Sequence, residues 1–276
     1  MKPSIVVLTD SSPAAGQARA YAAVLAAPLG AAVHLVHVYP TPPMTSRVAL
    51  VMHTTRARYV RQERRALEQL AADYPVPATA DTLEAGWDEA VQQALDKYRP
   101  LLLVAGLTAT HGPFDEWLSN RTLLLARETG CPLLLVPAHL SAAALHPPRR
   151  LVLAVEDRPF VLAPEAKAIA ALFDALTIEI VTVTVGPGGE EGLWAAQHSG
   201  LAATMPRSPL HRVVGPEPAP GILQAVQELS ADVVALVDVG HGWVHKLLTD
   251  SVIEQVLRAT PVPVLLLSAP VDLLDG

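Results

Sequence analysis

The chain has very little of what would mark a disulfide-stapled or membrane-spanning protein. Its 276 residues include one cysteine, Cys131, which excludes an internal disulfide and is typical of a reducing compartment. Cys131 directly precedes an apolar segment, so we expect a buried and unreactive thiol. No apolar run reaches the roughly 18 residues that a membrane helix needs, and the N-terminus shows no cleavable signal pattern. These features predict a cytoplasmic protein that does not interact with membranes.

Excess positive charge and catalytic patterns are also missing. The formal net charge is −7, and no basic stripe stands out, which argues against nucleic acid as a main ligand. We find no nucleophile elbow, no phosphate-binding lysine motif and no Cys/His zinc spacing. His241 and His245 have helical spacing, but Gly242 stands where a zinc protease needs glutamate. The sequence therefore predicts a protein that is not an enzyme and holds no metal.

What the chain does contain is an internal repeat. Residues 119–127 and 132–137 recur 131 residues later as 250–258 and 263–268, each time as a helical pattern, a proline and an apolar strand. A recurrence of this length predicts two copies of one unit. The proline-containing segment 146–150 serves as the linker, which places one domain at residues 1–145 and the other at 149–276.

Apolar strands alternate with helical patterns in both copies. This alternation predicts an α/β fold with two tandem, doubly wound, mostly parallel five-stranded sheets. The closing strands, 133–136 and 264–267, are apolar and lie at an edge of each sheet. Because an unpaired apolar edge invites association, we expect these strands to meet across an internal pseudo-dyad, or in a homodimer. The predicted strands are 5–10, 33–38, 79–84, 101–105, 133–136, 151–156, 178–185, 212–214, 233–237 and 264–267, and the predicted helices include 13–27, 54–72, 87–98, 164–176 and 221–229.

At this point the chain resembles the universal stress protein family in its tandem form, whose domains have an adenine-nucleotide-hydrolase-like fold. Four features carry the resemblance: a first strand that ends in an acid at Asp10, a second strand that ends His37-Val38-Tyr39, a fourth strand that runs into Gly106, and the repeated closing segment. The resemblance implies a cytoplasmic stress-response protein and, in its nucleotide-binding members, ATP as the ligand.

ATP-binding members of that family carry Gly-x-x-Gly, nine further residues and then Gly-Ser or Gly-Thr. Glycines let backbone N–H groups approach phosphate oxygens, and the helix that follows adds partial positive charge. In the first copy, one glycine of three is in register. The resemblance implies a site with an acid beside the nucleotide, a valine beside the base and a phosphate loop. Its residues here are Thr9, Asp10, Val38, Gly106, Ser119 and Asn120, with Ala109 in place of the second glycine.

Structural roles compete with this assignment. Asp10 is also suited to a turn or a helix N-cap, for which Ser11 and Ser12 compete. Ser119 and Asn120 are good N-caps in their own right, and Val38 fits the buried end of a strand. Weak or absent ATP binding is therefore expected in the first copy.

The second copy departs further from the family pattern. Its weak candidates are Glu156, Gly240 and Ser251, whereas Val237 replaces the first glycine. Asp250 places a carboxylate where phosphates would lie, and two anions about 4 Å apart repel by about 1 kcal/mol in water. We therefore predict no ATP binding by this copy. The favoured hypothesis is a non-enzymatic binding or interaction module with degenerate nucleotide sites. The alternative hypothesis is an adenine-nucleotide sensor that uses the first copy, with slow hydrolysis.

Overall fold

The computed structural model describes residues 2–39, 49–107, 128–215, 217–239 and 251–269. The first copy of the repeat alternates strands and helices, as the sequence predicts. Its elements are β1 (Ser4–Leu8), α1 (Pro13–Leu29), β2 (Ala32–Tyr39), α2 (Ala49–Ala72), β3 (Ala78–Glu84), α3 (Trp87–Tyr98), β4 (Leu102–Leu107) and β5 (Leu133–Pro137). The helix predicted at 119–127 lies outside the described residues.

The second copy follows the same plan with shorter helices. Its elements are β6 (Arg150–Ala154), α4 (Ala170–Leu176), β7 (Glu179–Val185), α5 (Glu190–Gln197), β8 (Leu210–Val213), α6 (Pro218–Glu228), β9 (Val233–Asp238), α7 (Val252–Ala259) and β10 (Val264–Ser268). Two 3₁₀ turns, Ala166–Ile169 and Met205–Arg207, precede α4 and β8.

The strands form one ten-stranded sheet in the order β3-β2-β1-β4-β5-β10-β9-β6-β7-β8. Among the described residues, neighbouring strands within each half are parallel, and the β5–β10 contact between the halves is antiparallel. The two predicted five-stranded sheets are therefore present, but they are fused edge to edge. The predicted meeting of the two closing strands is confirmed.

The register of this junction reveals an internal two-fold. Leu134 pairs with Leu265, which is its own counterpart 131 residues later, while Leu133 pairs with Leu266 and Leu135 with Val264. A pair that joins equivalent residues in antiparallel strands lies on a two-fold axis. The strand order also reads the same way inward from both ends of the sheet. The single chain thus has the architecture of a symmetric dimer.

Apolar side chains fill both faces of the sheet, as expected for parallel strands covered by helices on each side. Helices α1, α2, α4 and α5 contribute to one core cluster, and α3, α6 and α7 contribute to the other. Helix α1 approaches its face closely because Ala18, Ala22 and Ala26, spaced four apart, are all fully buried.

The two copies differ most after their first strands. In the first copy, α1 begins at Pro13, soon after β1 ends at Leu8. In the second, residues 155–165 separate β6 from the 3₁₀ turn, so the helix predicted at 164–176 is α-helical only from Ala170. This longer segment is anchored at the carboxyl end of β10, where the Ala163 N–H donates to the Ser268 carbonyl oxygen (2.8 Å).

Candidate functional site

The first candidate site lies at the carboxyl edge of β1, where the strand order reverses. Strand β2 pairs with one side of β1 and β4 with the other. Open α/β sheets bind ligands in the crevice at such a switch point. Thr9 and Asp10, predicted site residues, follow directly after β1 and therefore lie at this edge.

Asp10 has a local structural role in addition to its exposed position. Its carboxylate accepts a hydrogen bond from the Ser12 N–H (2.8 Å), which closes the turn that leads into α1. Ser12 is the N-cap of α1, and its hydroxyl accepts from the Ala15 N–H (3.1 Å). Of the candidates for the cap, Ser12 takes the role, while Asp10 orders the turn and remains exposed to solvent.

Two side chains that sequence reasoning did not select as site residues hold Thr9 in place. The Arg19 guanidinium donates to the Thr9 hydroxyl and to the Asp10 carbonyl oxygen (3.1 Å). His37 donates from Nδ1 to the Thr9 carbonyl oxygen (2.7 Å). Burial lowers the pKa of Arg19, with Tyr74 and Asp10 opposing the shift. Arg19 is the only charged residue of α1, and this isolation in an apolar helix is the sequence signal by which it could have been found.

Gly106 lies in β4, where its lack of a side chain has a packing explanation. A Cβ atom at this position would be 2.4 Å from the Ala14 carbonyl carbon in the first turn of α1. The start of α1 therefore packs directly on Gly106. The phosphate-loop role that the resemblance implies is not needed to explain this glycine.

Apolar side chains surround the neighbouring part of the edge, on the face that carries α3. Val38, near the end of β2, pairs in register with Leu83 near the end of β3. Val38, Leu83, Trp87 and Leu107 are all partly buried against the same core cluster. The edge thus combines an exposed carboxylate with apolar side chains suited to a flat ring. The remaining predicted positions of this copy, Ser119, Asn120 and Ala109, lie outside the described residues.

The corresponding edge of the second copy is covered by the chain itself. Segment 155–165 runs from the end of β6 to the end of β10, and β9 lies between these strands. Phe160, Leu162 and Ala163 of this segment are buried in the same core cluster as Val237. Val237 occupies the place of Gly106 in the repeat. The apolar segment therefore packs beside the carboxyl ends of these strands, on the face of the sheet that carries α4.

The polar candidates of the second copy bind groups within the chain. Ser251 is the N-cap of α7: its hydroxyl accepts from the Glu254 N–H (3.2 Å), and the Glu254 carboxylate accepts from the Ser251 N–H (3.1 Å). Glu156 forms an ion pair with Arg158 (3.0 Å). Gly240 and Asp250, like His241 and His245, lie outside the described residues.

An internal carboxylate also occupies the N-terminus of α5. Asp157 accepts from the Glu191 N–H (3.1 Å), and backbone hydrogen bonds, that from Gly189 foremost, lower the pKa of its carboxyl group. Gly188 and Gly189 have positive φ angles of 90° and 113°, which lets the loop curl around this carboxylate. The anion-binding end of this helix is therefore filled by the chain.

The described part of the chain shows neither a reactive thiol nor a metal site. Burial raises the pKa of the Cys131 thiol to about 12, so at neutral pH it is a protonated core residue. Within the described ranges, no group of three or more His, Cys, Asp or Glu side chains is arranged to hold a metal ion. No helix in those ranges is long and apolar enough to cross a membrane.

The fold and the switch-point edges define a class: tandem, doubly wound α/β domains of the adenine-nucleotide-hydrolase-like type. The chain belongs to the universal stress protein family, whose sequence profile matches residues 1–137 and 120–268.

Solved structures share this architecture along nearly the whole chain. A universal stress protein from Archaeoglobus fulgidus DSM 4304 is 15% identical, with a TM-score of 0.67 over 97% of this chain and 99% of that one. A functionally unknown protein from Pseudomonas aeruginosa PAO1 is 16% identical, with a TM-score of 0.52 over 98% of this chain and 93% of that one. At these identities the likeness concerns the fold alone. No curated protein is significantly similar in sequence.

Proposed function

We propose that this chain is a non-enzymatic binding or interaction module of a cytoplasmic stress response, with nucleotide sites that have degenerated. The observation that carries the proposal is segment 155–165 of the second copy, whose Phe160 and Leu162 are buried where the chain passes from the end of β6 to the end of β10. The polar groups there support it, because Ser251 and Asp157 already bind backbone N–H groups of the chain. A fold of this kind serves many functions, so the groups at these edges, and not the fold, support this role.

Calorimetric titration of ATP into the full-length protein tests the proposal, after any co-purified nucleotide has been identified and removed. We expect any dissociation constant to be above about 100 μM, which corresponds to about −5.5 kcal/mol. Two tight sites per chain would contradict the proposed closure of the second copy. Phosphate release that scales with protein concentration and survives repurification would contradict the non-enzymatic role.

The second candidate function is an adenine-nucleotide sensor that uses the first copy, with slow hydrolysis. The apolar edge formed by Val38, Leu83 and Leu107 favours it, because this edge adjoins the exposed Asp10. Here the base would lie against Val38, and the phosphates would lie near Gly106, Ser119 and Asn120.

Restoring the family's motif tests this candidate. The double substitution Ser119→Gly with Asn120→Ser supplies the glycine and the hydroxyl that ATP-binding members have. ATP affinity is expected to rise at least about tenfold, or about 1.4 kcal/mol. Adding Asp10→Asn to this variant should remove the gain if the ligand lies beside Asp10. No gain, with the fold intact by circular dichroism, would count against a nucleotide site in this copy.

A further inference from the structure

Two tyrosine rings meet at a right angle at the carboxyl end of β2. Tyr39 ends this strand, and Tyr59 lies on α2. Their ring planes form an angle of 90°, and the ring centroids are 6.3 Å apart. These two rings, the aromatic corner, are partly open to solvent, since Tyr39 is only partly buried and Tyr59 is 53% exposed.

The aromatic corner lies on the opposite face of the sheet from the candidate nucleotide edge. Side chains alternate along a strand, so Tyr39 shares its face with Leu35, whereas Val38 points to the other face. Leu35 belongs to the core cluster of α1 and α2, and Val38 packs against the cluster of α3. The corner is therefore separate from the apolar edge against which a base would lie.

Two carboxylates border the corner. Glu84 on β3 is the in-register partner of Tyr39, so both side chains point to the same face. Glu63 follows Tyr59 by four residues, about one turn further along α2. Among the residues that the structure describes, neither Glu63 nor Glu84 forms a hydrogen bond or an ion pair. Their negative charges are thus not neutralised within this part of the chain.

The hydroxyl group of Tyr39 lies in the field of these carboxylates. Its oxygen is buried and has no hydrogen-bond partner within the described ranges. Burial raises the pKa of Tyr39 to about 12, and Glu63, Tyr59 and Glu84 add to the shift. Both carboxylates therefore lie close enough to the Tyr39 ring to act on it.

The described cations of α1 and α2 are directed elsewhere. At about 100° per residue, the described arginines of α2 lie about 100° or more round the helix from both Tyr59 and Glu63. They are Arg58, Arg61, Arg64 and Arg65, all of them exposed. On α1, the Arg19 guanidinium donates to the Thr9 hydroxyl and the Asp10 carbonyl oxygen. None of these groups therefore provides the counter-charge of the corner.

We infer that the aromatic corner binds a small alkylammonium ion. Aromatic rings attract a cation through their quadrupole, and recognition of quaternary ammonium groups is the main functional use of such rings. Tyr39 and Tyr59 supply two walls, and Glu63 and Glu84 supply the negative charge. The inference does not depend on nucleotide binding, and it gives the proposed binding module a chemical class of ligand.

A ligand-observed NMR titration of the full-length protein tests this site, with choline as the probe. Its control is 3,3-dimethyl-1-butanol, which has the shape of choline but carries a carbon atom in place of the charged nitrogen. We expect saturable binding of choline with a dissociation constant below about 1 mM. The neutral analogue should bind at least about tenfold more weakly, because it keeps the apolar contacts and loses the attraction to the rings and carboxylates.

Substitutions then assign the binding to the corner. Tyr59→Leu removes one wall and should weaken choline binding at least about fivefold, whereas Tyr59→Phe keeps the ring and should bind like the wild type. Glu63→Gln and Glu84→Gln keep the shape without the charge, and each should weaken binding about threefold. The matched control is Glu68→Gln, an exposed carboxylate about 140° round α2 from Glu63, which should have no effect.

Competition with ATP separates this site from a nucleotide site. Because the corner and Val38 lie on opposite faces of the sheet, saturating choline should leave the ATP titration unchanged. Displacement of choline by ATP would overturn the inference, since it would place the cation in the nucleotide crevice. Absence of ATP binding, by contrast, leaves the choline titration as an independent test.

Three further outcomes would overturn the inference. One is the lack of saturable choline binding up to about 10 mM. Another is equal affinity for choline and its neutral analogue, which would identify an apolar contact without charge recognition. The third is a Tyr59→Leu variant that binds choline as tightly as the wild type. Should a variant fail to fold by circular dichroism, the comparison of choline with the neutral analogue on the wild type still decides.

Discussion

At Gly106, a residue that the family resemblance assigns to phosphate binding is needed for packing. A Cβ atom there would lie 2.4 Å from the backbone of Ala14, so no side chain fits unless α1 moves. In the second copy the segment after β6 takes another course, and Val237 is accommodated in the core at the same repeat position. The close packing of α1 therefore explains why residue 106 is glycine.

Gly106→Ala is therefore expected to destabilise the protein without any ligand present. Overpacking of a closely packed contact costs about 1–3 kcal/mol, which chemical denaturation measures as a lower midpoint. The matched control is Gly16→Ala in α1, where the nearest atom to the new Cβ would be Arg19 Nη2 at 3.7 Å. That substitution should stabilise the helix by up to about 1 kcal/mol. Equal stability of the Gly106 variant and the wild type would leave phosphate access as the better explanation.

Asp157 links stability to pH through the N-terminus of α5. Backbone hydrogen bonds lower the pKa of its carboxyl group below the ordinary value of 3.8. A lowered carboxyl pKa stabilises the fold above the ordinary value, and this contribution disappears as the pH falls through the lower folded value. Asp157→Asn should therefore be less stable than the wild type at pH 7, and the difference should be smaller at an acidic pH below 3.8.

Urea unfolding at both pH values measures this difference. Glu165→Gln is the control, because Glu165 is exposed and caps no helix with its side chain. A difference for Asp157→Asn that is the same at both pH values would show that the carboxylate charge does not contribute.

At the scale of helices and strands, periodicity predicted the regular elements well, because buried parallel strands and amphipathic helices follow simple patterns. The bounds of α3 were predicted to the residue, and those of β2 and β3 within one or two. Helix α5 was missed because its eight residues follow three glycines within residues 186–189, which indicated a loop. The 3₁₀ start before α4 was missed because its cause, the anchoring of Ala163 to β10, is a tertiary contact.

The candidate site was less predictable than the fold. The positions of Thr9 and Asp10 follow from the end of β1, which the sequence pattern locates. The contacts of Arg19 and His37 with Thr9 depend on side-chain paths across two elements, which spacing does not determine. The cover over the second copy depends on the course of an irregular segment. Such contacts are set by tertiary packing, whereas strand and helix positions follow from local periodicity.

Ser251 allows a test that separates a helix cap from a phosphate ligand. Ser251→Ala removes the hydroxyl that accepts from the Glu254 N–H, and loss of such a cap costs about 1 kcal/mol. We expect the free energy of unfolding to fall by that amount, with no change in ATP titration. Ser251→Thr keeps a hydroxyl and should recover most of the stability. A change in nucleotide binding without a change in stability would contradict the capping role.

At the scale of the whole molecule, the antiparallel junction turns two repeats into one folded unit. Every residue of β5 and β10 is buried in the intact molecule. If the halves separated, each strand would become an exposed apolar edge without a partner. The linker is fastened as well, since the Asp232 carboxylate accepts from the N–H groups of Arg149 (2.7 Å) and Arg150 (3.0 Å). The apolar sheet junction and the packing of α1 beside α4 also connect the two copies, independently of the linker.

This view predicts that the halves remain together without the linker. Residues 1–145 and 149–276, which we propose as the two domains, should co-purify as a one-to-one complex when they are co-expressed as separate chains. Leu134→Asp, at the centre of the junction opposite Leu265, should abolish the complex, because it would bury a charge in an apolar edge contact. Leu134→Ile, which keeps the volume and polarity, should retain it. Two halves that purify separately as soluble monomers would show that the chain connection, and not the pairing of β5 with β10, holds the molecule together.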